Sequence, residues 1–186
     1  MGMELFFQQL FNGIMFGSTY AIVALGLTLV MGILNIPNFA HGHLYMIGGY
    51  ITFFFIGTIG LGYWFALLMS VVVLGFIGVL MERFVYRPLN DQPHINAFIA
   101  AIGSLLFLES FALVVWGSQG LRIPNPYPQM IEVFGITMGI QRLLVIFGAI
   151  ILIVLLHLFM KKTVVGATIE AVAQNREGAM LNGINV

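Results

Sequence analysis

The sequence predicts an all-α fold, a polytopic bundle of membrane-spanning helices followed by a short cytoplasmic helix. Of its 186 residues, 60% are hydrophobic and only 8% are charged, and the mean hydropathy is +1.04. This is too little charge to cover the surface of a soluble domain. No Asp, Glu, Lys or Arg occurs between Leu5 and Met81. The long runs are apolar on all faces, which favours helices over the alternating strands of a membrane barrel.

Five apolar runs are long enough to cross a bilayer core, which requires about 20 residues. They cover residues 10–34, 42–59, 64–81, 95–116 and 143–160. Small residues recur four apart within two of them, at Gly13, Gly17 and Ala21 and at Ala97 and Ala101. Such stripes let membrane helices approach closely. We therefore expect one tightly packed transmembrane domain over residues 1–186.

The basic residues indicate the orientation of the bundle. If the connections alternate sides, five basic residues share one side and only Arg122 and Arg142 lie on the other. The five are Arg83, Arg87, Lys161, Lys162 and Arg176. Cytoplasmic loops are enriched in Lys and Arg, so residues 83–94 and the C-terminal segment are expected in the cytoplasm. The N-terminus and the proline-rich connection 117–139, where prolines exclude a regular helix, are then expected outside.

A polar stretch interrupts the apolar sequence at residues 35–43, Asn-Ile-Pro-Asn-Phe-Ala-His-Gly-His. Pro37 ends a helix, Asn38 is a favourable N-cap, and Gly42 allows close backbone approach. Two interpretations remain open at this stage. The stretch is either an ordinary cytoplasmic turn or a discontinuous, re-entrant helix beside a translocation pathway, where irregular backbone is tolerated.

Ionisable residues within spans also require an interpretation, because burying them in lipid is costly. Glu109 lies in the fourth run. It is either a proton relay, a partner for a cationic group, paired with a polar group on a helix outside this chain, or located near the membrane interface. His41, His43 and His94 leave open a membrane metalloenzyme, but no carboxylate stands at helical spacing beside the first two. We predict no metal site, no cofactor and no catalytic residue.

The last segment is more polar than the rest and is predicted to form one helix over residues 167–182. An apolar stripe comprises Ile169, Val172, Ala173 and Met180, while acidic and amide side chains occupy the other face. Gly183 suits the position just after the helix. A helix lying on the membrane surface is usually rich in Lys and Arg, so docking into a groove of a protein partner fits this segment better.

Three absences in the sequence narrow the function. There is no cysteine, which excludes disulfides and thiolate metal sites. The net charge is zero and the basic residues are dispersed, which argues against a nucleic-acid partner. No Walker phosphate-binding motif occurs, so any ATP-driven function requires an ATPase partner.

Several motifs resemble one family. Glu170-Ala171 followed by Gly183-Ile184 resembles the cytoplasmic coupling motif of ABC importer permeases. The run 171–177 is similar to the branched-chain amino acid permeases. Three further stretches resemble that family, namely Asn12-Gly13 with Gly17-Ser18-Thr19-Tyr20-Ala21, then Asn38-Phe39-Ala40-His41-Gly42, then Glu82-Arg83 with Tyr86-Arg87-Pro88-Leu89. The resemblance covers the whole chain.

The resemblance implies a non-catalytic permease subunit of an importer in a bacterial or archaeal cytoplasmic membrane. The implied partners are two ABC ATPase subunits, a second permease subunit, an extracytoplasmic amino-acid-binding protein and the lipid bilayer. The ATPase-coupling role falls on Gly166, Glu170, Ala171, Asn175, Ala179 and Gly183. The pathway candidates are Asn35, Asn38, Phe39, His41, Gly42 and Glu109.

The resemblance leaves two questions about the transported substrate and the length of the chain. Leucine, isoleucine and valine are the expected cargo, with urea, short amides or other amino acids as the alternative. Members of the family carry about three more spans after the coupling helix, so we expect this chain to be truncated relative to them. A passive channel is a further alternative, but it offers no reason for a polar amphipathic cytoplasmic helix.

Overall fold

The fold is mainly α-helical, as predicted. A computed structural model describes residues 2–34, 38–89, 92–123, 125–133 and 136–184. Its helices are α1 (Gly2–Leu34), α2 (His41–Gly57), α3 (Tyr63–Met81), α4 (His94–Trp116), α5 (Ile140–Lys162), α6 (Val164–Gln174) and α7 (Arg176–Leu181). A π-helical turn, Glu82–Tyr86, and a 3-10 turn, Arg87–Leu89, extend α3. Two strands, β1 (Met130–Val133) and β2 (Ile136–Gly139), form a hairpin.

Four helical segments in the described part of the chain are long and apolar enough to cross a membrane. They are Leu5–Gly32, Tyr63–Leu89, His94–Trp116 and Ile140–Lys162. They correspond to four of the five predicted spans. The second predicted span, residues 42–59, forms α2, which has 17 residues and is therefore roughly 25 Å long at 1.5 Å per residue. This is less than the hydrocarbon thickness of about 30 Å.

The described residues form two compact units. A terminal unit comprises Met1–Asn35 and Asn125–Val186, and a central unit comprises Ile36–Pro124. The terminal unit contains α1, the hairpin and α5 to α7, and the central unit contains α2 to α4. The pathway candidates other than Asn35 belong to the central unit, and all coupling candidates belong to the terminal unit.

In the terminal unit, polar contacts hold the first turns of α1 beside the hairpin and the start of α5. The Gln8 side chain donates to the Thr137 carbonyl at 3.2 Å and accepts from its N–H at 3.1 Å. The Arg142 guanidinium donates to the Asn12 side-chain oxygen at 2.7 Å. These contacts place the N-terminal third of α1 beside β2 and the first turn of α5. The side of the membrane that these elements face stays a prediction.

The hairpin was not anticipated from the sequence. Its strands pair antiparallel, with Met130 opposite Gly139 and Val133 opposite Ile136. The run carries β-branched and other apolar residues suited to a strand, but four residues per strand give too short a pattern to detect. Gln8 provides the hydrogen bonds that a third strand would offer at Thr137, so it covers part of one edge of the sheet.

The central unit is organised around α2, which packs against α3 and α4. A buried cluster on the α2 and α4 side contains Ala40, Ile47, Leu108 and Ala112. On the α3 side, the buried hydroxyls of Thr52 and Ser70 share a hydrogen bond of 2.7 Å. Such bonds between helices hold membrane bundles together where no hydrophobic drive exists.

The two small-residue stripes have different environments. Ala97 and Ala101 are 2% and 0% exposed in α4, as close packing requires. At Gly13 and Gly17, by contrast, an added methyl group would meet no described atom within 4 Å. The stripe on α1 is therefore open within the described part of the chain, whereas the stripe on α4 packs as predicted.

Candidate functional site

The interrupted segment before α2 is organised by one asparagine. The Asn38 side-chain oxygen, 8% exposed as a residue, accepts from the Ala40 N–H at 3.1 Å and from the Tyr86 hydroxyl at 3.0 Å. The Asn38 carbonyl accepts from the His41 N–H at 3.2 Å. Asn38 was expected to be the N-cap of the second span, but Ala40 occupies that position. Asn38 instead forms a turn two residues earlier, because its short side chain bonds its own backbone two residues on.

The start of α2 lies beside the interior of α4. Ala40, immediately before α2, packs in one buried cluster with Leu108 and Ala112. Leu108 is roughly 21 Å along α4 from its first residue, and Trp116 lies about 12 Å further on. Phe39, next to Ala40, packs on Phe98 near the start of α4, so the segment before α2 lies along the first half of α4. The two interpretations of residues 35–43 stay predictions, because residues 35–37 lie outside the described part of the chain.

Tyr86 reaches Asn38 from a π-helical turn at the end of α3. It is 4% exposed and lies in the turn Glu82–Tyr86. A π-helical turn inserts an extra residue into a helix and so redirects the side chains that follow, and such turns are frequent at functional sites. Pro88 follows within the 3-10 turn, where its ring prevents a regular helix from continuing. Tyr86 belongs to one of the motifs that resemble the family, but the sequence did not predict its hydrogen bond to Asn38.

The other pathway candidates lie around the same break. Phe39 packs edge to face on Phe98, with ring centroids 5.3 Å apart. His41 and Gly42 form the first turn of α2, and a methyl group at Gly42 would meet no described atom within 4 Å. Asn35 lies outside the described residues.

Glu109 has a partner on α2 that sequence spacing did not reveal. Its side-chain oxygen lies 4.0 Å from the His43 Nε2 atom. The expectation that no carboxylate accompanies the histidines considered only neighbours on the same helix, and α4 supplies one from 66 residues away in the chain. Within the described ranges, no three metal-ligating side chains come together.

The C-terminal segment begins with a tight turn from α5 into α6. The Thr163 hydroxyl donates to the Phe159 carbonyl at 2.6 Å and accepts from the Gly166 N–H at 3.0 Å, so Thr163 is the N-cap of α6. Gly166 is buried against the end of α5. A methyl group there would lie 2.5 Å from the Met160 Cα and from the Phe159 carbonyl oxygen. The turn therefore requires glycine at this coupling candidate.

The predicted single helix over residues 167–182 is corrected to two helices. Helix α6 ends at Gln174, and Asn175 adopts an extended backbone before α7. The Asn175 side chain accepts from the Gly178 N–H at 2.9 Å and so caps α7. The break was missed because Asn175 lies inside an amphipathic pattern, although asparagine competes with helix interiors and favours caps.

The remaining coupling candidates occupy distinct positions in these two helices. Glu170 is exposed on α6 and Ala171 is partly buried, while Ala179 in α7 is 5% exposed. Gly183 has φ +80°, and the N–H groups of Gly183 and Ile184 donate to the carbonyls of Met180 and Ala179. This is a Schellman motif, so the predicted role of Gly183 as the residue after the helix is confirmed.

The four residues of the predicted apolar stripe differ in how far they are buried. Ile169 and Val172 are partly buried, whereas Ala173 and Met180 are exposed. Leu181, which was not assigned to the stripe, is 89% exposed. The C-terminal segment thus presents both an acidic side chain, Glu170, and large apolar side chains on its surface.

Comparison with known proteins assigns this arrangement to a family. Residues 9–186 match a family described as the permease component of branched-chain amino acid transport systems. The chain belongs to this family. Because the family is a membrane permease family and four helices are long enough to span, the chain is a multi-pass membrane protein.

Curated relatives carry names of the same kind. The high-affinity branched-chain amino acid transport system permease protein LivH of Salmonella typhimurium is 33% identical over 97% of this chain and 63% of its own length. LivH of Escherichia coli K12 and BraD of Pseudomonas aeruginosa, named in the same way, are each 32% identical with the same coverage. The chain thus spans 63% of the length of these relatives. No solved structure shows a significant match.

The cap at the break between α6 and α7 permits a specific prediction. Replacing Asn175 by Ala removes the acceptor for the Gly178 N–H, and loss of an N-cap costs about 1 kcal/mol. Helix α7 has six residues, so we expect it to fray. Hydrogen exchange should show faster exchange at residues 178–181 and unchanged exchange in α5.

The control for this prediction is Gln174→Ala. Gln174 makes one long contact of 3.5 Å to Glu170 and caps neither helix. Equal effects of the two substitutions on exchange in α7 would contradict a capping role for Asn175.

Proposed function

We propose that this chain is a non-catalytic transmembrane permease subunit of an ATP-driven ABC importer that carries leucine, isoleucine and valine. The observation that carries the proposal is the family match over residues 9–186, together with relatives named as high-affinity branched-chain amino acid permeases. Two ATPase subunits, a second permease subunit and an extracytoplasmic binding protein complete the transporter. It resides in a bacterial or archaeal cytoplasmic membrane.

The mechanism is alternating access driven by the ATPase subunits. ATP binding closes the ATPase pair, the α6–α7 segment moves with it, and the spanning helices rearrange around the pathway. ATP hydrolysis resets the cycle. The discontinuous element around Asn38 supports the proposal, because irregular backbone within a span is tolerated where it lines a cavity.

The α6–α7 segment has the features that a coupling element requires. The turn that joins it to α5 is rigid, since Thr163 caps α6 and Gly166 packs directly on the α5 backbone. Its surface offers Glu170, Met180 and Leu181 to a partner. A rigid turn transmits a movement of the docked α6–α7 segment to α5, whereas a flexible turn would not.

Replacement of Glu170 tests the coupling role. Glu170→Ala changes an exposed side chain that accepts a long hydrogen bond of 3.5 Å from Gln174, so the fold should persist. We expect ATP-driven leucine uptake in proteoliposomes containing the assembled transporter to fall at least about tenfold, with the ATPase subunits retained less well on purification. Glu132→Gln, an exposed acidic residue in β1, should retain uptake. Normal uptake and normal assembly in Glu170→Ala would refute the coupling assignment.

A further inference from the structure

Two side-chain pairs connect α2 and α4, one containing the carboxylate of Glu109 and the other the aromatic ring of Trp116. Glu109 and Trp116 are seven residues apart on α4, so they share a face. The first lies beside His43 at 4.0 Å, and the second stacks on Tyr50 with centroids 4.7 Å apart and an interplanar angle of 13°. His43 and Tyr50 are likewise seven apart on α2. The His43–Glu109 pair and the Tyr50–Trp116 pair are separated by about 10 Å along the helices.

One ring nitrogen of His43 is buried and the other faces Glu109. Among the described residues, no hydrogen-bond partner reaches the buried His43 Nδ1 atom. The Nε2 atom, 4.0 Å from the carboxylate, is therefore the imidazole nitrogen that lies beside Glu109.

The carboxylate also has unused hydrogen-bonding capacity. A distance of 4.0 Å exceeds that of a direct N–H···O bond, about 2.7–3.2 Å. The Glu109 side chain is 53% exposed within the described residues, which leaves space for a ligand beside it. An ionised carboxylate accepts several hydrogen bonds, and within a membrane span such a group pairs with a cationic partner or marks a substrate route.

An apolar cavity begins one helical turn beyond this pair. It has a volume of about 290 Å³ and is lined by Met46, Tyr50, Phe53, Leu121 and Ile123, with backbone at Gly49 and Gly120. Met46, Tyr50 and Phe53 follow His43 at intervals of three, seven and ten residues, which places them on the same face of α2. The Glu109 carboxylate and the apolar cavity are therefore adjacent along the interface between α2 and α4.

We propose that the Glu109 carboxylate, beside His43, binds the α-ammonium group of an amino acid whose branched alkyl side chain occupies the cavity beside Tyr50. Glu109 accepts hydrogen bonds from the ammonium, and the His43 ring lies beside the carboxylate, with Nε2 at 4.0 Å. An alkyl side chain of four carbons is small enough for the cavity, and the polar and apolar parts of the ligand meet groups of matching character. This assignment rests on the proposed transport of amino acids and adds the site and the recognised group.

The test compares leucine with analogues that lack one charged group. The purified protein in lipid nanodiscs is titrated with radiolabelled leucine, and leucinol, which keeps the ammonium, and 4-methylpentanoate, which lacks it, serve as competitors. We expect leucinol to compete within about threefold of leucine, and 4-methylpentanoate to be at least about tenfold weaker, because a charged hydrogen-bonded group is lost. Equal competition by both analogues, or no leucine binding to the wild type, would overturn the site.

Substitutions at the carboxylate complete the test. Glu109→Gln should weaken leucine binding about tenfold or more and abolish the advantage of leucinol over 4-methylpentanoate, whereas Glu109→Asp should restore that advantage because it restores the charge. Glu132→Gln is the matched control and should bind as the wild type does. If Glu109→Asp fails as Glu109→Gln does, or if Glu109→Gln binds leucine normally, the assignment is wrong.

Uptake separates failure of the site from failure of the proposed function. Wild-type transporter that shows no ATP-driven leucine uptake contradicts the transport function, whatever the binding results show. Normal uptake by wild type together with equal uptake by Glu109→Gln contradicts the site alone.

Discussion

Gly166→Ala is expected to displace α6 from the end of α5 and to uncouple the C-terminal segment. The added methyl group would lie 2.5 Å from the Met160 Cα, the Met160 carbonyl oxygen and the Phe159 carbonyl oxygen. These are backbone atoms, so no side-chain rotation relieves the clash. Overpacking of this kind costs about 1–3 kcal/mol. We expect a lower midpoint of thermal unfolding in detergent and a loss of ATP-driven uptake in the assembled transporter.

A matched substitution on the neighbouring helix provides the control. At Gly148 in α5, an added methyl group would meet no described atom within 4 Å. Gly148→Ala should leave the unfolding midpoint unchanged or slightly raised, since alanine favours helix. If Gly166→Ala and Gly148→Ala have the same unfolding midpoint, then the turn between α5 and α6 does not depend on the close contact at Gly166.

Asn38→Ala is expected to destabilise the start of α2, because it removes one acceptor from two donors. The Ala40 N–H and the Tyr86 hydroxyl both donate to the Asn38 side-chain oxygen. An unsatisfied buried polar group costs about 1–3 kcal/mol. Denaturation of the purified protein in mixed micelles should show this loss, and uptake should fall because the pathway candidates of the same turn shift.

A double-mutant cycle separates the tyrosine bond from the rest. Tyr86→Phe alone should cost about 1 kcal/mol, and it should cost less in the Asn38→Ala background, where the hydroxyl keeps only its hydrogen bond with Ser104. Tyr45→Phe, at an α2 residue that is 60% exposed, is the control and should be neutral. Additive effects of Asn38→Ala and Tyr86→Phe would show that the two residues are not coupled.

Features that depend on local sequence were predicted well. The long helices α3, α4 and α5 begin and end within a few residues of the predicted spans, because an uninterrupted apolar run leaves a backbone no alternative to internal hydrogen bonds in lipid. Gly183 likewise follows a local rule, since its φ of +80° suits glycine wherever a helix ends in this way.

Features that depend on distant residues were not predicted. Spacing along α2 gave no indication of Glu109 on α4, and an amphipathic pattern concealed the break at Asn175. The short length of α2 and its packing against α4 were also not predicted.

By itself the sequence determined that this protein is a helical membrane protein and, through ordered motifs, which family it resembles. Both conclusions follow from properties that each segment carries alone, namely apolar length and residue identity. The tertiary structure alone decided that Ala40 joins a buried cluster with residues of α4, that the Tyr86 hydroxyl donates to Asn38, and that Glu109 lies beside His43. These are contacts between helices, and their geometry depends on which faces meet, which no single helix specifies.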